Sequence, residues 1–204
     1  MSHQIKQILN RSAEVKALMV QQCSGMAEDA AQMIAESLNA GGKFLLCGNG
    51  GSAGDAQHLA AEFMSCLDHK AHPRPGLAAL ALTTDTSFIT AYANDFGFDG
   101  IFERQIETLG HAGDVLLCIS TSGTSKNVVL AAHAGRAKGI KIISFTGEGG
   151  GDLVALSNVL IAVPSRITMH IQECHIAIGH AITARVESLC SQKTTEKMRD
   201  KSAP

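Results

Sequence analysis

His58 and Glu62 lie four residues apart in a segment with helical patterning, so both project from one face, one turn above the other, with Asp55 a turn earlier. Such pairs are often solvated surface pairs, but Leu59, Ala60, Ala61, Phe63 and Met64 around them indicate a packed helix. A carboxylate in a partly dry setting gains proton affinity and can serve as a general base. A second stretch, Ser120-Thr121-Ser122-Gly123-Thr124-Ser125, puts five hydroxyls in six positions directly before the helical pattern KNVVLAAHAGRAKG. Unpaired backbone N–H groups and the helix dipole favour an anion at such a point. Hydroxyls add donors without adding positive charge, which suits a phosphate monoester held by geometry. The plain alternative is a Ser/Thr-rich turn that caps the helix, although capping accounts for one or two hydroxyls rather than five.

The run Cys47-Gly48-Asn49-Gly50-Gly51-Ser52-Ala53-Gly54-Asp55 leads into the helix that carries His58 and Glu62. Gly48, Gly50 and Ala53 satisfy a dinucleotide fingerprint, yet the region where an acidic ribose partner should end the next strand reads LDHKAHPRPG, a loop. A tight strand-to-helix turn that needs glycine remains open as well. The hydroxyl turn also lacks the Lys-Ser/Thr of a nucleoside-triphosphate loop, so no nucleotide cofactor is expected. Near the end, residues 168–190 form one long helical pattern whose centre is apolar on nearly every side, the mark of a buried helix. Gln172, Glu173, His175 and His180 interrupt it and must find partners. Gln172 and His180 are two turns apart and share a face; mutual satisfaction of polar groups at a subunit interface would also explain them.

The elements that must position these residues follow from hydrophobic patterning. Residues 4–40 carry apolar positions at helical spacing and stop at Gly41 and Gly42, which predicts two opening helices. Thereafter KFLLC (43–47), LAALAL (77–82), DVLLCIS (114–120), KIISFT (141–146) and VLIAVP (159–164) alternate with helix-like segments. Runs apolar throughout suit strands buried on both faces, so the chain reads as a single α/β domain over 1–190 with a five-stranded parallel sheet. Ligands settle at the carboxyl ends of such strands, which points to the loops after Cys47 and Ser120. The polar segment 191–204 reads as a mobile tail.

Composition narrows the partners. With 204 residues, 45% of them hydrophobic, the chain can bury one sizeable core. A net charge of -2 gives no basis for wrapping nucleic acid. Six scattered cysteines form no CxxC pair and read as reduced core residues. The opening MSHQIKQILN lacks the apolar stretch of a secretory signal and no run is long enough to span a bilayer, so a cytoplasmic protein with no membrane partner is expected.

Taken together, CGNGGSAGDAQH with Glu62, TTDTSFITAYANDFGF, GDVLLCISTSGTSKNV and IQECHIAIGH resemble the sugar isomerase (SIS) domain, and within it the phosphoheptose isomerases, over nearly the whole chain. The resemblance implies a flavodoxin-like three-layer αβα sandwich, with residues 1–40 as a helical extension used in oligomerisation. It implies a homotetramer with sites between subunits, and conversion of sedoheptulose 7-phosphate to glycero-manno-heptose 7-phosphate, a step toward lipopolysaccharide heptose. By the same resemblance, Ser120, Thr121, Ser122 and Ser125 hold phosphate, and Asn49, Ser52 and Asp95 touch the sugar, with Gly50, Gly51 and Gln172 also at the substrate. Glu62 and His180 are the implied acid/base pair, and His58, Glu62, Gln172 and His180 the implied zinc ligands. Enediol isomerisation needs a base that takes a proton from one carbon and returns it to the next, a task open to Glu62.

Three positions depart from the family's pattern: Cys66 stands where relatives often have arginine, and Met169 and His170 replace Asp and Arg before the Ile-Gln-Glu run. A thiol lacks a guanidinium's bidentate grip, so either Lys70 or Arg74 substitutes or the substrate is another sugar phosphate. Two rivals stand beside the isomerase: a non-catalytic sugar-phosphate-binding regulator of the replication-initiation type on the same fold, and a nicotinamide-dependent dehydrogenase. Retention of Glu62 and His180 favours the enzyme over the regulator.

Overall fold

Each of the five apolar runs supplies one strand of a parallel sheet in the computed structural model, which describes residues 2–67 and 74–200. The strands are β1 (Phe44–Gly48), β2 (Ala79–Ala81), β3 (Val115–Ile119), β4 (Lys141–Thr146) and β5 (Val159–Ala162), in the order β2-β1-β3-β4-β5. Every residue of β1 and β3 is buried, which is why neither run alternates.

Among the described residues six helices cover the sheet: α1 (Ser2–Asn39), α2 (Gly51–Met64), α3 (Thr86–Phe96), α4 (Ile101–Leu109), α5 (Lys126–Ala137) and α6 (Thr168–Asp200). Successive strand residues point to opposite faces. Phe44, Leu46, Leu117 and Phe145 pack with Ile34 of α1, Phe63 of α2 and Ile178 of α6. Leu45, Cys47, Leu116 and Cys118 pack with Ile106 of α4 and Val128 of α5. The result is the expected three-layer sandwich with one core on each side of the sheet.

Two expectations need correction. The opening pattern forms one 38-residue helix rather than two. Gly25, within it, has open space around it and costs only its weak helix propensity, about 1 kcal/mol. Val15, Met19, Cys23, Ala30 and Ile34 meanwhile keep one buried stripe running past it. The segment read as a tail begins inside α6, which continues to Asp200; residues 201–204 lie outside the described residues. Among the described residues five of the cysteines are buried, and no helix is long and apolar enough to cross a membrane.

The sheet order fixes where a ligand can bind. The chain leaves β1 toward β2 on one side and returns to β3 on the other, opening a crevice between adjacent strands at their carboxyl ends. Gly48 pairs with Ile119 in register, so Asn49 and Ser120 emerge side by side at that crevice.

Candidate active site

α2 and α6 meet closely enough to bring three functional side chains together. A Cβ on Gly179 would lie 2.8 Å from Leu59 Cδ1, so glycine lets α6 settle onto α2 beside His180 and His58. His58 Nε2 then stands 2.7 Å from His180 Nε2, with the rings edge to face, and 3.4 Å from Glu62 Oε1. The two ring nitrogens are thus within hydrogen-bonding distance, donor and acceptor depending on the tautomer. His58, Glu62 and His180 each offer a ligand atom within 4.8 Å of the others, a donor set able to hold a divalent cation. Glu62 is mostly enclosed, its side chain 20% exposed.

Asp55 lies one turn before His58 on α2, and its Oδ2 is buried without a hydrogen-bond partner. Burial pushes its carboxyl up, against the opposing pull of His58 and His180. Gln172, on the same face of α6 as His180, approaches the start of α2: a Cβ on Gly51 would lie 2.6 Å from its Nε2. Gly51 is glycine because any larger residue would displace that amide.

The hydroxyl turn is preformed. Ser120 Oγ lies 2.9 Å from Ser125 Oγ and accepts from the Gly123 amide at 3.2 Å, while Ser122 Oγ accepts from Thr124 Oγ1 at 3.0 Å. Ser125 occupies the N-cap of α5 yet its side chain makes no capping bond, so capping does not explain the hydroxyls. Gly123 has a φ of +70°, and a Cβ there would collide with the Gly150 carbonyl, so the turn is braced against the loop after β4. Asn49 and the buried Asn127 exchange two 2.9 Å amide hydrogen bonds, tying the glycine loop to the first turn of α5. Ser52 is buried beneath that loop.

The structure separates other expected residues from this centre. Arg74 is no stand-in for the arginine absent at Cys66. Its guanidinium is buried, pairs with Glu187 of α6 at 2.5 Å, and donates to the carbonyls of Glu62 and Phe63 at 3.0 and 2.8 Å. Arg74 therefore positions the end of α2, and with it Glu62, from behind. Burial alone would push the Glu187 carboxyl up, but the Leu67 amide, the Cys66 thiol and Arg74 hold it below the usual range. Lys70 lies outside the described residues. Asp95 is exposed near the end of α3 and accepts from Asn94; no described contact joins it to the cluster. Two polar groups of α6 find partners within the chain, Glu173 accepting from Ser12 of α1 and His175 Nε2 lying 3.0 Å from the Thr146 carbonyl, while the buried Nδ1 atoms of His170 and His175 have no hydrogen-bond partner among the described residues. Sequence reasoning missed Asn127; its only signal is an amide among the apolar residues of α5.

The chain is similar in sequence and fold to known proteins. Residues 8–147 match the model of the SIS domain. A phosphoheptose isomerase of Rhodospirillum rubrum is 49% identical over 170 residues, covering 83% of this chain and 89% of that protein. One of Aquifex aeolicus is 44% identical over 194 residues, covering 95% and 100%. The solved structure of a phosphoheptose isomerase from Neisseria gonorrhoeae superposes with a TM-score of 0.86 at 40% identity, covering 92% of this chain and 98% of that one. Sequence and fold agree across almost the full length, and the chain belongs to the SIS-domain family, within its phosphoheptose isomerases.

Proposed function

We propose that the chain interconverts sedoheptulose 7-phosphate and D-glycero-D-manno-heptose 7-phosphate through an enediol. The observation that carries this reading is the approach of Glu62 on α2 to His180 on α6, within 4.8 Å. The Glu62 carboxylate takes the proton from C1 of the ketose, the C–H electrons form the C1–C2 double bond, and the C2 carbonyl oxygen gains charge. His180 donates a proton to that oxygen and removes one from the C1 hydroxyl. The Glu62 carboxyl then returns its proton to C2, leaving an aldose. The turn of Ser120, Thr121, Ser122 and Ser125 anchors the phosphate, while Asn49, Gly50, Gly51, Ser52 and Gln172 line the sugar, so the reacting carbons are held against the base.

His58, Glu62, Gln172 and His180 would hold zinc, which when bound supplies Lewis-acid polarisation of the sugar oxygens. The two imidazole nitrogens and one carboxylate oxygen of the cluster fit that metal's preferences. The working form is a cytoplasmic homotetramer with sites between subunits, where a second copy would bring Asp95 or its equivalent surface to the sugar. In support, α3 buries none of its residues within the chain, and Phe96 is 72% exposed. The product would feed heptose supply for lipopolysaccharide.

The test is proton NMR of sedoheptulose 7-phosphate with purified protein in deuterium oxide. Isomerisation with deuterium appearing at C1 and C2 is the expected result. Binding of the sugar phosphate without exchange would replace the enzyme by the non-catalytic binding protein.

A further inference from the structure

Beside the hydroxyl turn lies a polar cavity of about 220 Å³, walled by Thr121 and Ser122 of the turn, Ser165 and Arg166 just before α6, Thr168 at its first position, and Glu148 after β4. Ile171 closes its back wall, one residue before Gln172. Four hydroxyls and one guanidinium thus converge on a space that shares two residues with the phosphate turn.

The family's pattern places an arginine where this chain has Cys66, and the other cations near the turn are committed elsewhere. Arg74 is buried against Glu187. Lys126, next to Ser125, is paired with Asp99 at 2.6 Å and does not line the cavity. Among the described residues, Arg166 is the cation that lines it. Arg166 uses Nε to reach Glu148 Oε2 at 2.7 Å, and no described residue takes its two Nη groups. The side chains are 84% and 54% exposed, and a solvated pair of this kind holds its partners weakly. A guanidinium with both Nη groups free matches the oxygens of a phosphate dianion in bidentate fashion, which neither a hydroxyl nor an ammonium does.

We propose that Arg166 is a phosphate-binding residue of this site, turning from Glu148 to the phosphate monoester of the substrate and completing the hydroxyl turn with the positive charge that the turn lacks. The inference deepens the sugar-phosphate reading and rests on it. Glu148 keeps the arginine at the rim when the site is empty of anion and competes with phosphate for it.

The test uses the full-length chain and its Arg166→Gln, Arg166→Lys and Glu148→Gln variants. Steady-state kinetics with sedoheptulose 7-phosphate are measured alongside calorimetric titration with inorganic phosphate. Arg166→Gln is expected to raise KM and weaken phosphate binding about tenfold, with the loss falling on KM rather than kcat. Arg166→Lys should recover part of the affinity, because charge returns without the bidentate fork, and Glu148→Gln should tighten phosphate binding. Phosphate affinity and KM within twofold of wild type in Arg166→Gln would overturn the proposal. Should the wild type fail to isomerise the sugar while Arg166→Gln still loses phosphate, the proposed reaction falls and the binding role of Arg166 stands.

Discussion

At the scale of single residues, the site depends on small atoms in places where chemistry needs room. Gly51 is the sharpest case, because a methyl group there would meet the Gln172 amide at 2.6 Å. The clash is with the end of a flexible side chain, so it can be relieved by moving Gln172 rather than the fold. Gly51→Ala should therefore stay within about 1 kcal/mol of wild-type stability. Its kcat/KM should fall roughly tenfold or more, because a misplaced substrate-positioning group is costly out of proportion to the shift. Urea unfolding and steady-state kinetics on the same preparation check both halves. This level was only partly legible in the sequence. The spacing of His58 and Glu62 showed one face of a helix, but nothing local to Gly51 or Gly179 announced what would pack on them, since Gln172 and Leu59 come from distant parts of the chain. Arg74 shows the same limit: a cation in a Pro-rich loop reads as free for phosphate, whereas its burial against Glu187 is a tertiary fact.

At the scale of elements, the strands were legible because a parallel sheet buried on both faces leaves continuous apolar runs, and β1 and β3 are such runs. The helix boundaries were less so: the two helices expected over residues 4–40 are one because the packed stripe of α1 runs unbroken past Gly25, and the polar end of α6 hid a continuing helix. α6 also holds a buried titratable group with a consequence for pH. His175 is fully buried against the Phe145 ring and the Thr146 carbonyl, and burial pushes its pKa down from 6.5 to about 4, with the Thr146 hydrogen bond opposing. As pH falls from 6.5 to 4 the unfolded chain takes up this proton and the folded chain does not, so stability declines across that window. The decline from this group amounts to about 3 kcal/mol at most. His175→Gln, which keeps a donor for the Thr146 carbonyl and cannot titrate, should flatten the slope of unfolding free energy between pH 4 and 6.5. An unchanged slope would show that other groups set the acid sensitivity.

At the scale of the whole molecule, a single chain leaves surfaces that look unfinished. Residues 3–11 of α1 are all exposed, an overhang of roughly 14 Å that carries Ile5, Ile8 and Leu9. An apolar groove of about 450 Å³ between α1 and α6 is lined by Met19, Val20, Ala27, Ile178 and Ala181. With the rings of α3, these patches are the sort that mark contact between copies. Sedimentation of the wild type should give four times the mass of the chain, and Phe96→Asp should lower it while leaving the far-ultraviolet circular dichroism unchanged. A wild-type monomer at micromolar concentration would contradict the assembly. The proposed isomerisation stands on Glu62 as the group that moves the proton, and one substitution reads this directly. Glu62→Gln keeps the shape and removes the base, so the variant should bind sedoheptulose 7-phosphate by calorimetry with affinity near that of wild type. It should also show no deuterium incorporation at C1 or C2. Exchange persisting in Glu62→Gln at a rate close to wild type would place the base elsewhere and contradict the central claim.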